Sequence, residues 1–172
     1  MRKAVFIIAV FTVLSCSSNK SSQPINETIT LLGNCPKKST CSITILKNKK
    51  IVTQLDSVGK IHYELKESFT TNVVKYNFIK NFKGNIQDAD YSEEVILELK
   101  KNETDFQLKD KELQKTNLLY GRFCFCDDHI GYFKVIKGIL TNDFKENIKK
   151  YYLIFNTDEV PQITTNIEFI IQ

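Results

Sequence analysis

Four cysteines in two short motifs are the side chains of this sequence best suited to chemistry. The stretch CPKKSTC holds Cys35 and Cys41, and the stretch CFC holds Cys124 and Cys126. In a protein outside the cytoplasm, such an even set predicts disulfides. Residues i and i+2 of a strand lie ~6.5 Å apart at Cα, near the upper limit for a bridge. We therefore favour two cross-links, in which Cys35 and Cys41 each bond one cysteine of CFC; one local bridge within each motif is the alternative.

The same four thiolates could instead bind zinc or Cu(I). Structural zinc sites usually place two to four residues between paired cysteines, whereas CPKKSTC has five and CFC has one. Asp127, Asp128 and His129 follow CFC and would complete a metal site, but these residues are also typical of a turn. Redox motifs favour Cys-x-x-Cys at a helix N-terminus, which CFC lacks. We therefore predict disulfides, with no metal ion and no cofactor.

The other candidate catalytic groups are two histidines, His62 and His129, and the pair Glu93-Glu94. Adjacent residues of a strand point to opposite faces, so Glu93 and Glu94 cannot flank one bond as the acids of a glycosidase do. A nucleophilic Cys126–His129 pair is disfavoured by the second cysteine two residues away. The sequence contains no nucleophile elbow, phosphate-binding glycine loop or zinc-binding His-Glu-x-x-His motif. We predict that the chain is not an enzyme and has no catalytic residues.

The elements that must position these residues alternate apolar and polar side chains with a period of two. This alternation, rich in Val, Ile, Thr, Tyr and Phe and interrupted by turn residues, predicts strands. The expected fold is all-β, an antiparallel β-sandwich or barrel of roughly 8–10 strands. One turn of helix is expected in each of 110–116 and 143–150, the second capped by Asn142 or Asp143. The expected strands are 28–32, 42–47, 60–66, 71–82, 91–100, 105–108, 118–126, 131–137, 151–156 and 166–171.

Alternation also assigns the aromatic side chains to faces of the strands. Five of them are expected on core faces: Tyr76, Phe78, Phe82, Phe123 and Phe125. Arg122 and the two cysteines of CFC then face a covering segment, which the loop GNCPKKSTC could supply, and Arg122 reaches from there to solvent. The aromatic side chains are expected to fill a solid core; as an alternative they line a cavity for a small apolar ligand.

The N-terminal segment has the features of a secretory signal. Arg2 and Lys3 precede an uncharged run from Ala4 to Leu14, which Ser15 and Cys16 follow. The run is too short to span a bilayer, which needs ~20 residues, and matches the hydrophobic region of a signal peptide. A plain cleaved signal and a retained N-terminal helix are the alternatives to the interpretation that follows.

The sequence Val13-Leu14-Ser15-Cys16 resembles the lipobox of bacterial lipoproteins. The resemblance implies that the chain is cut before Cys16, that the Cys16 thiol is diacylated, and that the new amino terminus is usually acylated as well. Two or three acyl chains hold a protein stably on a membrane, whereas one does not. Ser17 stands where Asp would retain a lipoprotein at the inner membrane, and no acidic residue precedes Glu27. The resemblance thus implies an outer-membrane lipoprotein that faces the periplasm.

These features divide the chain into a signal peptide (1–15), a lipidated cysteine with a flexible Ser-rich linker (16–26), and a single β domain (27–172). Lysines are interspersed with acids, and the net charge of +4 is modest, so no nucleic-acid partner is expected. The predicted function is a membrane-anchored, non-enzymatic binding or structural module of the cell envelope, with the membrane and an envelope protein as partners. The alternatives are a periplasmic carrier of a small apolar ligand and a cysteine-based metal-binding or redox protein.

Overall fold

The computed structural model describes residues 27–81, 91–126 and 129–172. Several predicted features lie outside these ranges: the signal peptide, Cys16 and its linker, Phe82, and Asp127-Asp128. A 3-10 helix, Asp110–Thr116, occupies one of the two expected helical segments. The strands are β1 (Ile29–Leu32), β2 (Ser39–Leu46), β3 (Lys49–Leu55), β4 (Ile61–Glu67), β5 (Thr71–Lys80), β6 (Tyr91–Lys100), β7 (Phe106–Lys109), β8 (Leu119–Cys124), β9 (Gly131–Lys134), β10 (Gly138–Lys145), β11 (Ile148–Phe155) and β12 (Asn166–Ile171).

The strands form two antiparallel sheets that pack face to face, so the fold is the expected sandwich. One sheet has the strand order β1-β12-β11-β10-β7, and the other has the order β2-β5-β6-β8-β9-β4-β3. Side chains from both sheets meet in one core, as period-two strands with a buried inner face require. Tyr76 and Phe78 of β5 are 6% and 2% exposed, which confirms the predicted core face of that strand. Tyr151 of β11 and Phe169 of β12 stack in the same core with ring centroids 4.9 Å apart.

A second, smaller core lies beneath the β3–β4 hairpin, outside the sandwich. In the described residues β4 pairs with β9 through Ile61 and Tyr132 alone, and the hairpin folds back over β5 and β6. Ile51 of β3 packs there against Val73 and Ile96, and none of the three is more than 5% exposed. The central strands β5 and β6 are therefore covered on both faces.

Two predictions of secondary structure are wrong. The expected helix at 143–150 is the β10–β11 hairpin, in which Glu146 and Asn147 have φ of 51° and 65°. Two successive left-handed residues form the short turn that matches the twist of paired strands. Asn142 therefore caps no helix; it is buried in β10 and donates to the Thr104 carbonyl at 2.9 Å. Because β3 and β10 are strands as well, the described residues form twelve strands instead of roughly 8–10.

The sandwich has two ends, which we call the near end and the far end. The near end carries the turns 47–48 and 68–70 and the start of β1, where Glu27 accepts a hydrogen bond from Asn72 Nδ2 at 2.8 Å. The far end carries the turn 56–60, the segment 156–165 and both cysteine motifs. Strand β6 runs from the far end to the near end over ten residues, so the two ends lie ~30 Å apart.

Candidate functional site

A cleft at the far end lies between the β3–β4 turn and the chain that leads into β9. Its volume is about 430 Å³. One side of the cleft is formed by Val58, Lys60 and Ile61. The other side is formed by Glu159, which follows β11, and by residues in and just before β9, namely His129, Ile130, Tyr132, Phe133 and Lys134. The cleft therefore combines an apolar lining with three basic side chains and one carboxylate.

The β3–β4 turn is built around Asp56. Its Oδ1 accepts the backbone N–H groups of Val58 at 2.9 Å and Lys60 at 2.8 Å, and its Oδ2 lies 3.1 Å from His62 Nε2. The Lys60 N–H makes the largest contribution, followed by His62, to holding the pKa of Asp56 below its usual value. Gly59 completes the turn with a φ of 81°, a conformation that favours glycine. The turn presents Val58 to solvent.

A buried carboxylate fixes the opposite side of the cleft. Glu94 Oε1 accepts the hydroxyl groups of Tyr132 at 3.0 Å and Tyr63 at 2.8 Å, and Glu94 also pairs with Lys75. Burial, followed by the charge of Glu94, raises the pKa of Tyr63 and of Tyr132, so both phenols remain protonated donors. These contacts join β4, β6 and β9, and they give the Tyr132 ring one fixed position in the cleft.

Arg122 anchors the connection between β8 and β9. Its Nη1 donates to the His129 carbonyl at 3.1 Å, its Nη2 lies 3.5 Å from Cys126 Sγ, and its guanidinium lies 5.6 Å from the centre of the Tyr91 ring. His129 has a φ of 62°, and its side chain is exposed. The His129 backbone on this side of the cleft is thus held by the Arg122 guanidinium, which in turn lies over the Tyr91 ring.

The face assigned to CFC from the sequence is wrong. Tyr120 is fully buried in the core, and residues of a strand two apart share a face, so Arg122 and Cys124 lie on the inner side of β8. Phe123 and Phe125 are 36% and 79% exposed instead of filling the core. The sequence does not reveal this because β8 is apolar on both faces near its start, where the β3–β4 hairpin covers the outer face.

The favoured cross-linked pairing of the cysteines is also wrong. Cys35 bonds Cys41, and Cys124 bonds Cys126, which is the local alternative. Two strands separate β2 from β8, which puts Cys41 ~14 Å from Cys124, whereas a bridge requires Cα atoms within ~7 Å. Cys124 ends its strand, and the chain bends there to bring the Cα atoms of the CFC cysteines to 5.3 Å. Both bridges constrain loops at the far end.

Exposed apolar side chains surround the cleft. Leu55 and Val58, at the end of β3 and in the following turn, are 70% and 75% exposed, and Ile130 is 38% exposed. Phe123 contacts Tyr132 edge to face at 5.3 Å, and Phe125, two residues further along, is 79% exposed at the same end. We call Leu55, Val58, Phe125, Ile130 and the cleft the far-end surface. Sequence reasoning missed it, although an apolar valine in the middle of a tight turn is a signal that could have indicated it.

The other candidate residues do not converge on this cleft. Glu93 and Glu94 lie on opposite faces of β6, as predicted: Glu93 points into the sandwich, where it accepts the N–H groups of Ile163 and Thr164 at 2.6 and 2.7 Å. His62 is exposed on β4 and contacts Asp56. Among the residues that the structure describes, no three His, Cys, Asp or Glu side chains are close enough to hold a metal ion.

None of the described helical segments has the length and apolar composition to cross a bilayer. Comparison of the chain with protein-family models, with curated proteins and with solved structures finds no match.

Proposed function

We propose that the protein is a lipid-anchored lipoprotein of the bacterial outer membrane that binds an envelope protein through its far-end surface and catalyses no reaction. The observation that carries this proposal is the position of the far-end surface relative to the start of the domain. Glu27 enters the sandwich at the near end, and Val58 lies at the opposite end, ~30 Å away. An acyl group on Cys16 would keep Glu27, at the near end, within ~35 Å of the membrane, because the linker 17–26 spans at most that length.

The composition of the far-end surface supports a protein partner. Exposed apolar side chains that are rimmed by polar groups mark interaction sites in soluble domains. Val58 at the cleft and Phe125 at the same end of the sandwich are exposed apolar side chains, and Lys60, Lys134 and Glu159 supply charge around the cleft. The Cys124–Cys126 disulfide restricts the chain around Phe125, and Asp56 restricts the turn that carries Val58 and Lys60. Restriction before binding lowers the entropy lost on association.

The structure gives less support to the two alternatives. A carrier would need an interior cavity, but Tyr76 and Phe78 pack in the core and Phe123 and Phe125 face outward. A metal-binding or redox role would need convergent thiols, but each cysteine motif is closed on itself. We therefore infer that the cysteines stabilise the loops of a binding surface.

The anchor is tested by the intact mass of the protein extracted from bacterial membranes. We expect a chain that begins at Cys16 and carries the mass of two or three acyl groups, and a Cys16→Ser variant that carries none. A mature chain that begins elsewhere, or that is not acylated, would refute the lipid anchor.

The binding surface is tested in living cells with a photoactivatable amino acid at Val58. Tyr152, exposed on the five-stranded sheet, is the control position. We expect one discrete adduct from position 58, loss of that adduct when Phe125 is changed to Asp, and no adduct from position 152. Equal cross-linking from both positions would show that the far-end surface has no special role.

A further inference from the structure

Phe69 is the most exposed of the large hydrophobic residues that the structure describes. It lies in the turn between β4 and β5 at the near end, and 94% of it is accessible to solvent. The turn itself is well held: the Thr71 hydroxyl donates to Ser68 Oγ at 2.6 Å, and the Lys101 N–H donates to the Thr70 carbonyl at 3.0 Å. The fold thus presents an aromatic ring to its surroundings on a structured turn.

The ring lies where the chain enters the domain. Asn72, three residues after Phe69, donates to Glu27, which precedes β1. Glu27, the first residue that the structure describes, therefore lies close to the Phe69 turn. If Cys16 is acylated, this part of the domain is the one that the tether holds within ~35 Å of the bilayer.

Several lysines lie near the ring. Lys100 and Lys101 line one open hollow together with Phe69, and the adjoining segment 47–50 adds Lys47, Lys49 and Lys50. The nearby carboxylates are Glu27, Glu67, Glu98 and Glu103. Glu67 pairs with Lys49, and Glu98 accepts the Ile51 N–H at 2.9 Å beneath the β3–β4 hairpin while also lining the hollow. Glu103 lies in the same hollow, so the five lysines exceed the four carboxylates by one, and the area around Phe69 has a small net positive charge.

We propose that Phe69, Lys100 and Lys101 form a second contact with the membrane, in which the ring inserts at the headgroup level and the lysines meet anionic lipid headgroups. Phenylalanine is among the side chains that membrane-surface segments bury at the boundary between headgroups and acyl chains, and lysines are attracted to anionic headgroups. The contact is weak by itself. A tether of ten residues raises the effective concentration of the Phe69 turn at the membrane surface, so even a weak contact is occupied. The inference rests on the proposed lipid anchor; it adds an orientation, because the contact directs the far-end surface away from the membrane.

Tryptophan fluorescence tests this contact directly, since the sequence contains no tryptophan. Phe69→Trp introduces one probe at an exposed position, and Phe125→Trp is the matched control at the far end. The acylated full-length variants are reconstituted in vesicles of phosphatidylcholine and phosphatidylglycerol, with or without lipids brominated on their acyl chains. We expect a blue shift and bromine quenching for the Phe69→Trp variant, and neither for the Phe125→Trp variant. Equal emission from the two probes would overturn the inference.

The role of charge is tested with Lys100→Glu in the Phe69→Trp protein, with Lys37→Glu as a matched exposed control at the far end. We expect Lys100→Glu to abolish the blue shift and Lys37→Glu to preserve it; loss of the shift in both, or in neither, would refute the contribution of Lys100.

The intact mass of the same samples distinguishes the two proposals. An acylated Phe69→Trp chain with unshifted emission refutes only the contact, and a chain without acyl groups refutes the anchor. If the chain carries no acyl groups, vesicles are added to the Phe69→Trp protein in solution and its emission is measured again. A blue shift then supports the contact without the anchor, and an unshifted emission refutes it.

Discussion

Replacement of Glu93 by Gln tests how the two sheets of the sandwich are joined. Glu93 belongs to the seven-stranded sheet and is 1% exposed. Its carboxylate accepts the backbone N–H groups of Ile163 and Thr164, in the segment that leads into β12 of the other sheet. The Tyr91 hydroxyl donates to the same carboxylate at 2.5 Å. Three donors thus meet one buried charge between the sheets.

Glutamine keeps the shape of Glu93 but turns an NH2 group toward one of these donors. Hydrogen bonds to a charged group contribute ~1.5–3 kcal/mol each, and an unpaired buried donor costs about 1–3 kcal/mol. The neutral amide also has a smaller desolvation cost than the carboxylate, which offsets part of the loss. We therefore expect Glu93→Gln to lower the free energy of unfolding by about 2–3 kcal/mol, which corresponds to about 4–12 °C in Tm for a domain of this size.

Glu94→Gln is the matched control, because it makes the same chemical change one residue away on the opposite face. Its partners are two tyrosine hydroxyls, which can rotate to become acceptors, and Lys75, which is partly exposed. We expect a loss of about 1 kcal/mol or less. Urea unfolding followed by circular dichroism measures both variants. If the free energy of unfolding of the Glu93→Gln variant is within about 0.5 kcal/mol of wild type, or if both variants lose the same amount, the fixed backbone donors do not make Glu93 the more important carboxylate.

Three further predictions concern the backbone, the tyrosines and the cysteines. Gly138→Ala would place a Cβ 2.2 Å from the Ile154 carbonyl oxygen, so we expect a loss of about 3 kcal/mol or more in urea unfolding, whereas Gly59→Ala, with open space around it, should cost about 1 kcal/mol. Burial is the main cause that raises the pKa of six tyrosines, namely Tyr63, Tyr76, Tyr91, Tyr120, Tyr132 and Tyr151. Because their folded pKa exceeds the unfolded value of about 10, their contribution to stability is complete below that pH and declines as the pH rises above it. Ultraviolet titration should therefore show their ionisation together with unfolding, and ionisation in the intact fold near pH 10 would contradict the prediction. Each disulfide closes a short loop, so its removal should cost about 2 kcal/mol or less. Trypsin cleaves after Lys37 and Lys38, so a non-reduced digest should join the Cys35 and Cys41 peptides to each other, and a peptide linked to CFC would refute the local pairing.

The alternation of side chains determined most of the strands and the fold class. Segments such as β6 and β12 alternate apolar and polar residues. Pairing them as strands buries their apolar face and gives their backbone N–H and C=O groups hydrogen-bond partners. The same period placed Glu93 and Glu94 on opposite faces of β6, and the structure agrees. The turn at Gly59 was predictable for a local reason, since its positive φ favours glycine. These features depend on neighbours in the sequence.

The pairing and covering of strands were decided by the tertiary structure. Alternation shows which residues share a face but not which face is covered, so Phe123 and Phe125 were expected inside the sandwich and lie outside it. The cysteine pairing depended on the strand order, because β5 and β6 separate the two motifs by a distance that no local pattern encodes. The far-end surface and the Phe69 turn likewise depend on how the chain folds back. The sequence by itself determined what each segment is, through local periodicity and turn chemistry. Only the tertiary structure decided which segments meet, because contacts between distant strands depend on the packing of the whole sandwich.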